Sequence, residues 1–192
     1  MLHGDVVTLR DLRREDLPAL HAAVDTDPAT FSLVQQGPWR PTSLARRQAD
    51  FDRALSERPD ERTVVFAVQR RDDSAGRCVG SALLWGIDEH QRTAHLGLSL
   101  VAQARGKGLG RDVVRVLCRY AFDVRSLHRL SLETLATNEA MRATAYSCGF
   151  EEEGTLRENA WVLGRRVDEV VFGLLAPQWR AAVGEQGQGE QG

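Results

Sequence analysis

The sequence has no apolar run approaching the 18 or so residues that a membrane-crossing helix requires, and its start, Met1-Leu2-His3-Gly4-Asp5, contains no signal-peptide core. Cysteine is scarce: Cys78, Cys118 and Cys148 are an odd, widely spaced set without a CxxC pair or a neighbouring histidine cluster. That spacing argues against a disulfide framework or a zinc site and fits a reduced, cytoplasmic protein with incidental thiols. Charge of one sign is also missing. With a formal net charge of −2 over 192 residues, the chain offers no general attraction to nucleic acid or to a membrane surface, so basic chemistry has to be local. There is no internal repeat. At 42% hydrophobic and 27% charged residues, the length suits one domain able to bury a full core.

The most informative stretch runs from Leu96 to Phe122. Leu96, Leu98 and Leu100 alternate with small residues, the period of a strand with one buried face; His95, Gly97 and Ser99 then share the other face. Gln103-Ala104-Arg105-Gly106-Lys107-Gly108-Leu109-Gly110 follows, with glycine at every second position and cations between. Val113, Leu117, Tyr120 and Ala121 then recur at helical spacing. A strand, a glycine-rich loop and a helix in that order form an anion site. The first helical turn leaves N–H groups unpaired, the helix dipole favours negative charge there, and glycine lets the backbone close around it. Arg105, Lys107 and Arg111 add positive charge. Gly110-Arg111-Asp112 lacks the Lys-Ser/Thr end of a P-loop, and the Gly106, Gly108, Gly110 spacing is not that of the dinucleotide fingerprint. An ordinary glycine-rich strand-to-helix turn is the plain alternative.

Elsewhere the pattern predicts a strand over Val6–Arg10, a helix opened by Asp16-Leu17-Pro18 and stopped at Asp25-Thr26-Asp27-Pro28, and an irregular stretch from Phe31 to Pro41. Trp39 in that stretch either frames a substrate or anchors packing. A second helix is expected from Thr42 or Ser43 to about Arg58, ended by Pro59. Strands follow over Thr63–Val68, Cys78–Ile87 (with Gly80 and Gly86 as bulge positions), Ala94–Val101 and Leu130–Leu135. Thr137 or Asn138 caps a further helix that ends at Gly149, and strands over Phe150–Arg157 and Val167–Leu175 close the fold. Residues 1–180 form one domain, and the Gly/Gln/Glu-rich residues 181–192 are expected to be a disordered tail.

Gln103-x-x-Gly106-x-Gly108 resembles the pyrophosphate-binding loop of the GCN5-related N-acetyltransferases, and the order of elements resembles that family from about residue 5 to 176. Thr8-Leu9-Arg10-Asp11-Leu12, Thr137-Asn138-Glu139, Cys148-Gly149-Phe150-Glu151 and Val167-Asp168-Glu169-Val170-Val171 resemble its ribosomal-protein-alanine N-acetyltransferase branch. The resemblance implies an α/β (α+β) fold with a mixed, mostly antiparallel central sheet of about seven strands flanked by helices. It also implies transfer of an acetyl group from acetyl-CoA to a primary amine, on a protein N-terminus or a small molecule, by direct attack. On the cofactor side, Leu98, Ser99 and Leu100 would pair with the pantetheine amides, Gln103, Arg105, Gly106, Lys107, Gly108, Leu109, Gly110 and Arg111 would hold the pyrophosphate, and Asn138 would bond the pantetheine arm. Many members carry a tyrosine where this chain has Ala145, and the ribosomal branch carries a serine and a glutamate at the positions of Met141 and Ala160. Substitutes for the missing acid and base are Tyr146, Ser99, His95 and Glu133, with Glu158 a more distant carboxylate. A homodimer is common in the family. A non-catalytic acyl-CoA-binding module is the alternative that the three missing residues keep open.

Overall fold

The computed structural model describes residues 1–34, 37–57 and 60–188, with side chains described to residue 183. Eight strands form one sheet: β1 (Leu2–His3), β2 (Val7–Asp11), β3 (Val64–Arg70), β4 (Cys78–Asp88), β5 (Thr93–Leu100), β6 (Arg129–Leu135), β7 (Glu151–Val162) and β8 (Arg165–Leu175). Their order is β1-β2-β3-β4-β5-β6-β8-β7. Every neighbouring pair is antiparallel except β5 and β6. The sheet thus has one strand more than the sequence suggests, because β1 is two residues long and too short to show a period.

The helices are α1 (Leu17–Leu20), α2 (Pro28–Val34), α3 (Leu44–Ser56), α4 (Leu109–Arg119), α5 (Glu139–Ser147) and α6 (Ala176–Gln188). A 3₁₀ turn, Arg14–Asp16, leads into α1, and π turns extend α1 over His21–Asp25 and α4 over Tyr120–Val124. The first helical stretch ends at Asp25, where the Asp25–Pro28 stop puts it, but a new helix then starts within the stretch expected to be irregular: Asp27 accepts a hydrogen bond from the Thr30 N–H, and proline's fixed φ suits a first helical turn. Ser43 caps α3 by accepting from the Arg46 N–H; Arg58 and Pro59, expected at its end, lie outside the described residues. Trp39 donates from Nε1 to the Asp25 carbonyl, 2.8 Å away, and so braces the turn after α1. The expected disordered tail is helical as far as Gln188. Pro177 stands in the first turn of α6 and Trp179 packs on Phe122, while residues 189–192 lie outside the described residues.

The core lies between the sheet and α4. Val113, Leu117 and Ala121 on the helix, and Leu9, Val68, Leu84 and Leu130 on the strands, are fully buried. Asp112, in the first turn of α4, turns its carboxylate away from the loop and accepts the N–H groups of Asp5, Val6 and Val7 at 2.8–3.0 Å. An acidic residue beside an anion site is thereby neutralised by the amino-terminal strand.

The opposite face carries α1 and α3, tied to the sheet by a buried ion pair. Arg10 and Asp16 meet through two hydrogen bonds of 2.7 and 2.8 Å, and each is only 4% exposed. Burial alone would push the Asp16 carboxyl up, but the guanidinium of Arg10 and the N–H of Arg13 outweigh it and hold it below the ordinary carboxylate range. Removing one partner strands the other, so Asp16→Ala is expected to cost about 3–5 kcal/mol in urea unfolding. The depressed native value fixes the sign with pH. The contribution is full above the unfolded carboxyl value of about 3.9 and is lost as pH falls through the native one. An unchanged denaturation midpoint would show the pair to be dispensable.

Candidate active site

The parallel ladder between β5 and β6 joins Thr93 to Arg129, Ala94 to Leu130 and His95 to Ser131, and there it stops. Both strands continue, β5 to Leu100 and β6 to Leu135, so their edges diverge from Leu96 onward. A diverging edge leaves the main-chain groups of residues 96–99 that point away from β4 open to an extended chain of amides as an added strand. Leu98 is partly buried and packs on the core, Leu100 is buried, and Ser99 faces the α1–α3 side.

At the end of β5 the chain turns through Ala102–Ala104 into α4. Gly106 and Gly108 have φ of 72° and 76°, in the left-handed region, and neither has another atom within 4 Å of where a Cβ would stand. The loop is open where a pyrophosphate would lie. Arg105 folds back, donating from Nε to the Leu100 carbonyl at 2.9 Å, and locks the loop to the strand end. Lys107 and Arg111 form no ion pair among the described residues, which leaves their charge for a ligand. Gln103 is exposed, Leu109 is buried as the anchor of the first turn, and a Cβ at Gly110 would come to 3.9 Å from Leu100 and Thr144. The loop therefore fits the diphosphate of a coenzyme A. Asn138 caps α5: its Oδ1 accepts from the Met141 N–H at 3.2 Å and its Nδ2 donates to Thr134 Oγ1 at 3.1 Å. Both ends of that amide are used within the fold, at the mouth of the divergence.

Two of the candidate acid–base residues meet. His95 Nδ1 lies 2.8 Å from Glu133 Oε1, across the last rung of the β5–β6 ladder. The imidazole stacks on Trp85, with ring centroids 4.2 Å apart and planes 21° from parallel. Gly86, at φ 59°, brings bare backbone against the ring edge; a Cβ there would stand 3.2 Å from His95 Cδ2. With Nδ1 toward the carboxylate, Nε2 is the nitrogen left to accept a proton. An oriented imidazole at the point where the strands separate is the arrangement that general-base chemistry needs.

Tyr146 stands elsewhere. α5 buries Ala145 and directs Tyr146 to β7 and β8, where the ring meets Phe172 edge-on at 5.2 Å and the hydroxyl donates to Glu152. That hydrogen bond raises the phenol above its ordinary value. Phe172 pairs with Leu132 and Val171 with Glu133, so Tyr146 and the His95–Glu133 pair occupy opposite faces of the sheet. Met141 packs against the core, and Ala160 pairs with Val167 in the outer hairpin. The carboxylates of the closing strands are largely engaged: Glu153 with Arg129, Glu151 with Gln178, Asp168 with the Glu158 N–H and Glu169 with Asn159. Trp85 has no signal of its own in the sequence, and Glu152, one of the run Glu151-Glu152-Glu153, gives no sign there that it meets Tyr146. Counting back from the Asp88–Thr93 pair would set Gly86 opposite His95; a bulge between Trp85 and Asp88 shifts the register by one residue and brings Trp85 there instead.

The profile of the family described as "Acetyltransferase (GNAT) domain" matches residues 7–151. The chain belongs to this family. A putative ribosomal N-acetyltransferase, YdaF, of Bacillus subtilis is 33% identical over 104 residues, 54% of this chain and 57% of that protein. A spermidine N(1)-acetyltransferase of Vibrio cholerae is 25% identical over 84% of this chain and 88% of its own. Among solved structures, the spermidine N-acetyltransferase from Vibrio cholerae in complex with CoA and spermine superposes with a TM-score of 0.78. It covers 91% of this chain and 98% of its own at 24% identity, a likeness of fold. The mixed sheet, the left-handed glycines and the β5–β6 divergence are this acetyltransferase's version of the family architecture. None of its described helices is long and apolar enough to cross a membrane.

Proposed function

We propose that this enzyme transfers the acetyl group of acetyl-CoA to a primary amine in a ternary complex, with His95, oriented by Glu133, removing the amine proton. The observation that carries this reading is the position of the 2.8 Å His95–Glu133 pair at the end of the β5–β6 ladder. Bound acetyl-CoA supplies a thioester carbonyl as the electrophile. The chain supplies the rest. Residues 103–111 bind the diphosphate, the free edge of β5 takes the pantetheine amides, and the Leu98 N–H polarises the carbonyl oxygen as charge develops. Nε2 of His95 accepts the proton as nitrogen bonds to carbon, and Ser99 or solvent returns one to the departing sulfur. Holding amine and thioester together supplies much of the remaining acceleration. We further place the enzyme in the cytoplasm, in keeping with three free thiols, and infer a homodimer, supported by exposed Leu156, Trp161 and Leu163 on the outer hairpin.

The proton given to sulfur separates two assignments. Because Tyr146 is held against β7 and β8, Tyr146→Phe is expected to leave turnover within about threefold and acetyl-CoA affinity unchanged, whereas loss of an acting general acid costs about a hundredfold or more. A loss of that size at constant affinity would restore Tyr146 as the acid. The reading as a whole is tested by release of free CoA thiol that depends on added amine.

A further inference from the structure

Beside Ser99, on the α1–α3 face of the sheet, lies a cavity of about 280 Å³. Its walls are Leu12, Leu17, Leu20 and Val24 from the α1 region, Phe51 from α3 and Val65 from β3. Ser81 and Ser99 form its floor, and Arg47 and Asp50 stand on its rim. His95, Gly97 and Ser99 occupy alternate positions on this face of β5, and the side chain of Leu83, opposite Gly97 on β4, covers the sheet between the other two; a Cβ at Gly97 would stand 3.1 Å from it. A molecule whose body lies under α1 and α3 would extend its amine toward His95 across the apolar Leu83 side chain.

The charge around the cavity decides what that body is. Asp50 is the one carboxylate lining it, and it is held between Arg46, whose Nε stands 3.1 Å away, and Arg53. Arg47 lies 3.4 Å from Asp25, a buried residue that does not line the cavity; the contact is ionic, without hydrogen-bond alignment. Three guanidiniums thus face two carboxylates, and neither carboxylate is free for a second cation. A polyamine bound here would place additional ammonium groups against arginines and leucines, which costs desolvation without a compensating partner. An apolar group would be buried with gain.

We infer that the acceptor is an amine with a single cationic nitrogen joined to a compact apolar group, the chemistry of an alkyl amine or of a peptide beginning with an apolar residue. This deepens the acetyltransferase reading and rests on it. The inference sets the enzyme apart from its polyamine-acetylating relatives.

The test measures amine-dependent CoA thiol release with leucinamide, a tripeptide beginning with leucine, and spermidine. Wild-type kcat/KM is expected to favour one of the leucine compounds over spermidine by at least about tenfold, the factor that corresponds to one unfavourable charge burial of 1.4 kcal/mol. A higher value for the tripeptide identifies protein N-termini as the source, and a higher value for leucinamide identifies small amines; either supports the inference. Val65→Glu puts a free carboxylate on a cavity wall at a half-exposed position. With acetyl-CoA affinity unchanged, as a check on folding, it should narrow or invert the preference. Spermidine favoured by the wild type, or a preference untouched by Val65→Glu, would overturn the cavity assignment and leave the transfer reaction standing. Thiol release with none of the three would overturn the reaction and the cavity assignment with it.

Discussion

Gly108→Glu is expected to abolish acetyl-CoA binding, weakening it at least about a hundredfold, or about 2.7 kcal/mol. Two effects combine. The residue caps α4 at φ 76°, where a side chain costs roughly 1–2 kcal/mol, and the new carboxylate stands where the helix end and its unpaired cations await a diphosphate. Nothing lies within 4 Å of the position for a Cβ, so there is no clash, and the fold should survive with a melting temperature lower by only a few degrees. Gly108→Ala carries the strain without the charge and should lose much less affinity by calorimetry. A second readout comes from composition. Lys107 is the only lysine in the chain, so an amine-reactive reagent has one side-chain target, in the middle of the loop. Acetyl-CoA should protect Lys107 from labelling in the wild type and fail to do so in Gly108→Glu. Affinity unchanged by the glutamate would remove the diphosphate from this loop.

His95→Ala is expected to lower turnover by about 10²–10⁴, the range over which a positioned general base contributes, with acetyl-CoA affinity preserved. Glu133→Gln should lose less, because an amide still accepts the Nδ1–H but no longer stabilises the charged ring. An unchanged melting temperature and acetyl-CoA affinity beside the lost turnover would separate a base from a packing histidine, which stacking on Trp85 would otherwise resemble. An unaltered rate in His95→Ala would leave positioning alone to carry the reaction.

The parts of the fold legible in the sequence are those whose information is local. The alternation of Leu96, Leu98 and Leu100, the Val113-Leu117-Ala121 stripe, the Asn138 cap and the left-handed Gly149 each declare themselves within a few residues, and each is where the pattern put it. Misreadings arose where one residue serves two opposite ends. The stop at Asp25–Pro28 is real, but Pro28 also opens another helix, which the Asp27 hydrogen bond to Thr30 caps. Residues 181–188 read as unstructured from their composition, yet they continue the helix α6, whose Trp179 packs on Phe122. β7 runs past Arg157 to Val162 because its pairing with β8 resumes after the irregularity around Glu158, at φ 53°.

The site divides the same way. The glycine loop is contiguous in sequence, and its strand–loop–helix order was legible there. The His95–Glu133 pair was visible as two separate candidates, but their contact depends on a three-rung parallel ladder that no local pattern encodes. The cavity beside Ser99 draws on α1, α3, β3, β4 and β5, and the engagement of its carboxylate follows from arginine–aspartate pairings that no local sequence pattern specifies.

The most direct test of the account is the product of a single incubation. The wild-type protein is mixed with acetyl-CoA and leucinamide, free CoA thiol is followed with time, and the amine is weighed by mass spectrometry. The account predicts thiol release that requires both protein and amine, matched mole for mole by leucinamide carrying one acetyl group on nitrogen. Tight acetyl-CoA binding with no acetylated amine, there or across a broad set of amines, would contradict it and leave an acyl-CoA-binding module in its place.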